Sequence, residues 1–157
     1  MEIFINILTI VAAFFFMEFA AWFTHKFIMH GFLWFLHEDH HVQKPGFFQK
    51  NDAFFLIFAI PSWLLIMFGA MEGFDLRFYF GIGILLYGLA YFLVHEVLIH
   101  RRLKKLRKWI FKNLQKKYYF KVLQRAHHSH HKNLQKEDGE SFGMLIVGRK
   151  YFEMVKK

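Results

Sequence analysis

The chain has 157 residues and no cysteine, which excludes a disulfide framework, thiolate metal sites and a cysteine nucleophile. It is 55% hydrophobic and 21% aromatic, with 23 phenylalanines, yet it carries a formal net charge of +9. That composition excludes an ordinary soluble domain of this size and requires the cationic residues to be segregated from the apolar ones.

The segregation is visible in chain order. Residues 3–24 (IFINILTIVAAFFFMEFAAWFT) contain one acidic group, Glu18. Residues 53–71 (AFFLIFAIPSWLLIMFGAM) contain no charge and are interrupted only by Pro61. Residues 78–94 (FYFGIGILLYGLAYFLV) are again apolar and lead into His95 and Glu96. A spanning helix needs roughly 20 mostly apolar residues, so three transmembrane helices are predicted. The first run is expected to be retained, because Met1-Glu2-Ile3 lacks the basic start of a cleaved signal and the run is too long for one.

Charge sets the orientation. Of 21 lysines and arginines, only Arg77 lies between residues 53 and 97, in the connection between the second and third runs. The positive-inside rule places residues 25–52 and everything after residue 98 in the cytoplasm, and the N-terminus outside.

All 11 histidines fall at or beyond those cytoplasmic ends. His25 and His30 form HxxxxH, as do His95 and His100. His37, His40 and His41 form HxxHH, as do His127, His130 and His131. In a helix, residues three and four apart share a face, so each HxxHH triplet is expected to converge on one point. The HxxxxH pairs differ, because five residues on an ideal α-helix leave two side chains about 140° apart. Their rings must either reach different metals or distort the helix between them. Neutral imidazole suits Zn, Fe, Cu and Ni, and ten such groups exceed the needs of one ion, so two metal ions are expected. His128 fills a spacer position and is read as an ordinary surface histidine.

Carboxylates adjoin the clusters. Glu38, Asp39, Asp52 and Glu96, together with Glu137, Asp138 and Glu140, are candidates to hold ligating rings in orientation. Glu18 is a charged group inside a span, which by default marks a functional site. It precedes His25 by seven residues, so it shares nearly the same face about 10 Å deeper. Gly81, Gly83 and Gly88, with the many phenylalanines, are expected to form an apolar slot or to let helices pack closely. Substrate contacts are not legible.

Residues 101–125 (RRLKKLRKWIFKNLQKKYYFKVLQR) hold eleven basic residues and no acid. With Leu103, Leu106, Ile110 and Leu114 at helical spacing, they are predicted to form an interfacial amphipathic helix on anionic membrane lipids. The same charge can steer an acidic protein partner. The adjoining spans argue against nucleic acid. The expected architecture is thus a single all-α integral membrane domain over 1–157. About three transmembrane helices (3–24, 53–71 and 78–97) carry a cytoplasmic helical cap (25–52 and 98–157) with a histidine-rich dimetal site.

HKFIMHG at 25–31, HEDHH at 37–41, ND at 51–52, YGLAYFLVHEVLIH at 87–100 and RAHHSHHKNLQKEDGESFG at 125–143 carry a resemblance. They resemble the membrane fatty acid hydroxylase and sterol desaturase superfamily, and within it the bacterial β-carotene 3-hydroxylases. The likeness runs from about residue 11 to about residue 146. It implies a diiron monooxygenase of the inner membrane that hydroxylates carbon 3 of the β-ionone rings, taking β-carotene through β-cryptoxanthin to zeaxanthin. It implies O2 and a ferredoxin-type electron donor as partners, and a carotenoid substrate arriving from the lipid. It implies His25, His30, His37, His40, His41, His95, His100, His127, His130 and His131 as ligands of two iron ions. Position 128 is outside that pattern, and Glu96 stands where relatives also use Asp. Oxygen insertion into an unactivated C–H bond needs a redox metal, so zinc in the same ligands gives an inactive form. Two other readings share these residues: diiron oxidation of another lipid, such as a sterol or fatty acyl chain, and a histidine-rich metal transport or storage protein. Transport favours ionisable groups near the bilayer midplane, where this chain offers only Glu18.

Overall fold

A computed structural model describes residues 1–42, 48–132 and 139–156, and the described residues contain helices and no strand. Helix α1 (Glu2–Phe23) continues into a π-helical stretch, Thr24–Phe32. Gly31 leaves helical geometry (φ −110°, ψ −127°), and the chain turns into α2 (Trp34–His41). Helix α3 is Asp52–Met71 and α4 is Leu76–Tyr91, which runs into a second π-helical stretch, Phe92–Ile99. Asp75 caps α4 by accepting the Arg77 N–H at 2.9 Å, the side-chain-to-backbone bond that starts a helix well. The chain continues through α5 (Lys104–Phe111), a 3₁₀ turn (Leu114–Lys116), α6 (Tyr118–His130) and α7 (Arg149–Lys156).

Three helical segments are long and apolar enough to cross a membrane: Glu2–Phe32, Asp52–Met71 and Leu76–Ile99. Each exceeds or equals its sequence expectation, because the π-helical stretches extend the first and third. Their outer faces carry phenylalanine, isoleucine and leucine in the open, such as Phe4, Phe15 and Phe55. On helices of this length and hydropathy, such a surface fits hydrocarbon rather than water. The chain is an all-helical membrane protein.

Helix α4 lies between α1 and α3 and is the most buried of the three. Two glycines allow this. A Cβ on Gly83 would lie 2.5 Å from both the Ala13 Cβ and the Ile10 carbonyl oxygen of α1. One on Gly81 would lie 2.9 Å from the Ser62 carbonyl of α3, whose hydroxyl donates to the Gly81 carbonyl. These residues permit close helix approach, as small residues do in membranes. Gly88 has open space where a Cβ would go, so the three glycines do not act as one slot.

The basic stretch departs from the single helix predicted over 101–125. Arg101 takes a left-handed conformation (φ 59°), which sets α5 off from the third span, and Lys117 is extended (φ −67°, ψ 144°), which separates α6 from α5. Leu106 and Ile110 pack on Val97, Leu98 and Phe111, fastening α5 to the end of the third span. Lys104, Lys105, Lys108 and Trp109 face outward. Separating the two helices lets α6 return its histidines beneath the spans.

Candidate metal centre

The HxxxxH pairs sit in the two π-helical stretches. A π-helix bonds residue i to i+5, which places i and i+5 on one face. The His100 N–H donates to the His95 carbonyl at 2.9 Å, the i+5 bond itself. The ring centroids are 5.1 Å apart for His25–His30 and 4.6 Å for His95–His100. Of the two outcomes the spacing allowed, helix distortion is the one adopted.

The ten histidines form two groups. In the first, nitrogens of His25, His30, His37, His41 and His130 all lie within 4.8 Å of one another. The second holds His40, His100, His127 and His131 on the same criterion, and His40 also meets His95 and Glu96. The expectation that each HxxHH triplet converges on one point is corrected here. Each triplet gives its first and last members to one group and its middle member to the other. Residues i and i+4 are about 40° apart on a helix, whereas i+3 falls about 60° away on the opposite side. His37 and His41 therefore stay together while His40 crosses to His95 and His100, at centroid distances of 4.6 and 4.2 Å. His130 crosses the other way, its Nε2 lying 3.2 Å from His30 Nε2. The groups abut where His41 stacks on His131 at 4.4 Å.

Hydrogen bonds at the far nitrogens fix the ring orientation. His25 Nδ1–H donates to the Phe142 carbonyl at 2.9 Å, and His37 Nδ1–H to Asn51 Oδ1 at 2.6 Å. His130 Nδ1–H donates to the Glu140 carbonyl at 3.0 Å, and His95 Nδ1–H to Glu96 Oε1 at 2.7 Å. Each neutral ring has one proton. With Nδ1 donating, the Nε2 atoms of His25 and His37 face each other as lone pairs at 3.1 Å, and His41 Nε2 is 3.1 Å from His37 Nε2. In the second group His127 Nε2 lies 2.9 Å from His100 Nε2 and 2.8 Å from His131 Nε2. Nitrogens sharing one ion at about 2.1 Å sit roughly 3.0–3.4 Å apart. Both nitrogens of His40, Nδ1 of His41 and Nε2 of His95 are buried without a hydrogen-bond partner among the described residues. Converging, unprotonated and unpartnered nitrogens fit a metal cation, and an all-imidazole set suits a first-row transition metal.

Burial favours the neutral form of the rings outside the spans. It is the main cause lowering His37 to about 3 and His131 to about 4, with the other imidazoles adding to it. His40 and His41 are lowered in the same direction for the same reason. An unfolded chain takes up protons on these rings below about pH 6.5, while the folded chain does not until far lower. Stability is therefore greatest above pH 6.5 and falls as pH drops toward 4 and 3. Metal-free protein in detergent is expected to melt at a lower temperature at pH 5 than at pH 7.5. A higher melting temperature at pH 5 would contradict the burial of neutral imidazoles.

The acidic candidates separate by position. Glu96 accepts from His95 and from Arg102, whose guanidinium also contacts both oxygens of Asp52 at 2.7 and 2.9 Å. Asp39 accepts the backbone N–H groups of Lys50 and Asn51 and so fixes the residue that holds His37. Glu18 accepts from the Tyr87 hydroxyl and from the N–H groups of Met144, Leu145 and Ile146. Glu140 uses its carbonyl for His130 and its carboxylate for Tyr151 and Lys150. Glu38 is exposed, as is His128. Glu137 and Asp138 lie outside the described residues. Asn51, Arg102 and the Phe142 carbonyl were not singled out from the sequence. A polar pair at 51–52 ahead of an apolar run was the available signal for Asn51; a carbonyl leaves none.

The chain matches the fatty acid hydroxylase family over residues 10–148. It is 40% identical over 131 residues to a protein named beta-carotene hydroxylase from Pantoea ananas, covering 83% of this chain and 71% of that one. A protein of the same name from Pseudescherichia vulneris is 38% identical over 143 residues, with 91% and 77% covered. A chloroplastic beta-carotene 3-hydroxylase from an Oncidium hybrid cultivar is 39% identical over 142 residues, 88% of this chain and 44% of the longer plant protein. No solved structure matches the chain.

Proposed function

Since this chain belongs to the fatty acid hydroxylase family, we propose that it is a carotenoid hydroxylase, acting on carbon 3 of the β-ionone rings of β-carotene to give β-cryptoxanthin and zeaxanthin. In this reading the ten histidines hold two iron ions, five rings to each group, with O2 as oxidant and a ferredoxin-type protein as electron donor. The reaction balances as substrate C–H plus O2, two electrons and two protons, giving the alcohol and one water. Bound iron would supply the redox chemistry that activates O2, which zinc lacks.

The observation that carries the reading is the opposition of His25 and His37, each with its proton committed elsewhere and its lone pair facing the other at 3.1 Å. Two such lone pairs repel unless a cation lies between them. The chain's own contribution is orientation. Phe142, Asn51 and Glu140 fix three rings of the first group, while Glu96 fixes His95 in the second and, among the described residues, adds the one carboxylate beside either. Burial of His37, His40, His41 and His131 favours their neutral, ligating form. The charge distribution supports a site at the cytoplasmic face of the inner membrane, with the N-terminus outside. A C40 polyene dissolves only in hydrocarbon, so one ring can reach the helix ends while the rest stays in lipid.

Pigment chromatography in a bacterial host that accumulates β-carotene tests the proposal. β-Cryptoxanthin and zeaxanthin are expected only when the chain is expressed. Unchanged pigment, with iron-loaded protein in the membrane and a ferredoxin system supplied, would assign the site to another lipid.

A further inference from the structure

Glu18 is one of the most buried acidic residues, 6% exposed, within the first membrane-spanning segment. Four donors converge on its two oxygens. Oε1 takes the backbone N–H groups of Met144, Leu145 and Ile146 at 3.0, 2.9 and 2.8 Å, and Oε2 takes the Tyr87 hydroxyl at 2.8 Å. Three successive amides on one oxygen form an anion-binding concavity of the kind made by loop backbones. Here the anion is a side chain of the protein itself.

The segment held this way is the one that orients two histidines. Residues 139–148 have no helix of their own, so their backbone groups need partners from elsewhere. Two carbonyls of this segment, at Glu140 and Phe142, accept the Nδ1–H groups of His130 and His25. Both rings belong to the first histidine group. The other end of the segment is tied to α7, where Tyr151 and Lys150 reach the Glu140 carboxylate at 2.7 Å each. A Cβ on Gly143 would stand 3.1 Å from Glu18 Oε1 and 3.1 Å from the Ile146 carbonyl, so a side chain there presses on the wrap around Glu18 and pushes its partners back. Among the described residues no ring of the second histidine group bonds to this segment, and its His95 is held by Glu96, which Arg102 braces.

We propose that Glu18 is the positioning residue of the first histidine group, acting at a distance by clamping residues 144–146 so that the Phe142 and Glu140 carbonyls aim His25 and His130. The proposal rests on the reading that the two groups hold metal. It predicts that loss of the clamp weakens one metal position and spares the other.

The test is a cobalt(II) titration of the full chain purified in detergent, followed by the visible absorption of the bound ion. Wild-type protein is expected to take two equivalents. Glu18→Ala is expected to keep one at wild-type affinity, with the spectrum that His37→Ala leaves, and to bind the other about 10–100-fold more weakly, the usual cost of losing a partner of a ligating histidine. Glu18→Gln should restore both, because its amide oxygen still accepts the three N–H groups and the Tyr87 hydroxyl can turn to accept. Gly143→Ala, which leaves every histidine and Glu18 in place, should reproduce the selective weakening and covers the case in which Glu18→Ala does not fold. Two unaltered equivalents in Glu18→Ala or Gly143→Ala would overturn the proposal. So would equal weakening of both, which would mean that Glu18 only joins helices. Wild-type protein that takes no cobalt would remove the metal reading itself, and this proposal with it.

Discussion

His40→Ala is expected to eliminate zeaxanthin formation and to strip metal from the second histidine group, while His128→Ala changes neither. The two positions lie in matching histidine-rich stretches, yet their surroundings are opposite. His128 is exposed. His40 is 1% exposed, and its ring touches those of His95, His100 and His131 at 4.6, 4.2 and 5.0 Å. It is also the only member of its triplet to join that group, so no neighbour on α2 replaces it. Loss of a partner that merely orients a ligand costs about 10–100-fold in affinity or activity, and loss of the central ring should exceed the upper figure. Iron per chain and pigment yield, measured on the same membranes, check this. Full zeaxanthin production in His40→Ala would show that the second group is not part of the catalytic machinery.

Arg102 is expected to be the most sensitive residue outside the histidines. Its guanidinium joins the start of α3 to the second π-helical stretch through Asp52 and Glu96, at 2.7 to 2.9 Å. Breaking a buried pair costs about 3–5 kcal/mol; because Asp52 is a third exposed, about 2–3 kcal/mol is expected for Arg102→Ala. Arg102→Lys should recover little of it. An ammonium is a single point of charge, whereas this site uses a planar fork reaching two carboxylates at once. The freed Glu96 no longer fixes His95, so metal retention should fall together with the melting temperature. A stable Arg102→Lys variant with full metal would show that charge alone suffices.

The spans were legible because hydrocarbon imposes length and composition directly on a sequence. The set of ten histidines brought together was legible for a similar reason, since few other roles place four regular clusters at the helix ends. Their partition was not. Ideal α-helical spacing separates the two rings of HxxxxH, and the sequence carries no mark of the π-helical bond that reunites them. The same spacing rule that joins His37 to His41 expels His40 by about 60°, a divergence visible only once a second group exists to receive it. Glu18 stood out as an acid within a span, but its main partners are backbone amides of residues 144–146, which any sequence could supply. The break between α5 and α6 was hidden because the apolar spacing runs through it unaltered.

The contacts that close the centre join parts of the chain far apart in sequence. His30 meets His130 across 100 positions, His25 meets Phe142 across 117, and Glu18 meets Ile146 across 128. Contacts of such separation gain nothing until the intervening chain is in place, and they carry the largest loop-closure entropy. The three spans emerge from synthesis and enter the bilayer with seven of the ten grouped imidazoles, His25 to His100, available to one another. The last forty residues then bring α6 and the 139–148 segment against helices already inserted. Completion of the site is thus a checkpoint on the whole molecule: a chain stopped short of α6 presents an apolar anchor and three histidine clusters without the fourth, and only the longer chain closes them into one centre.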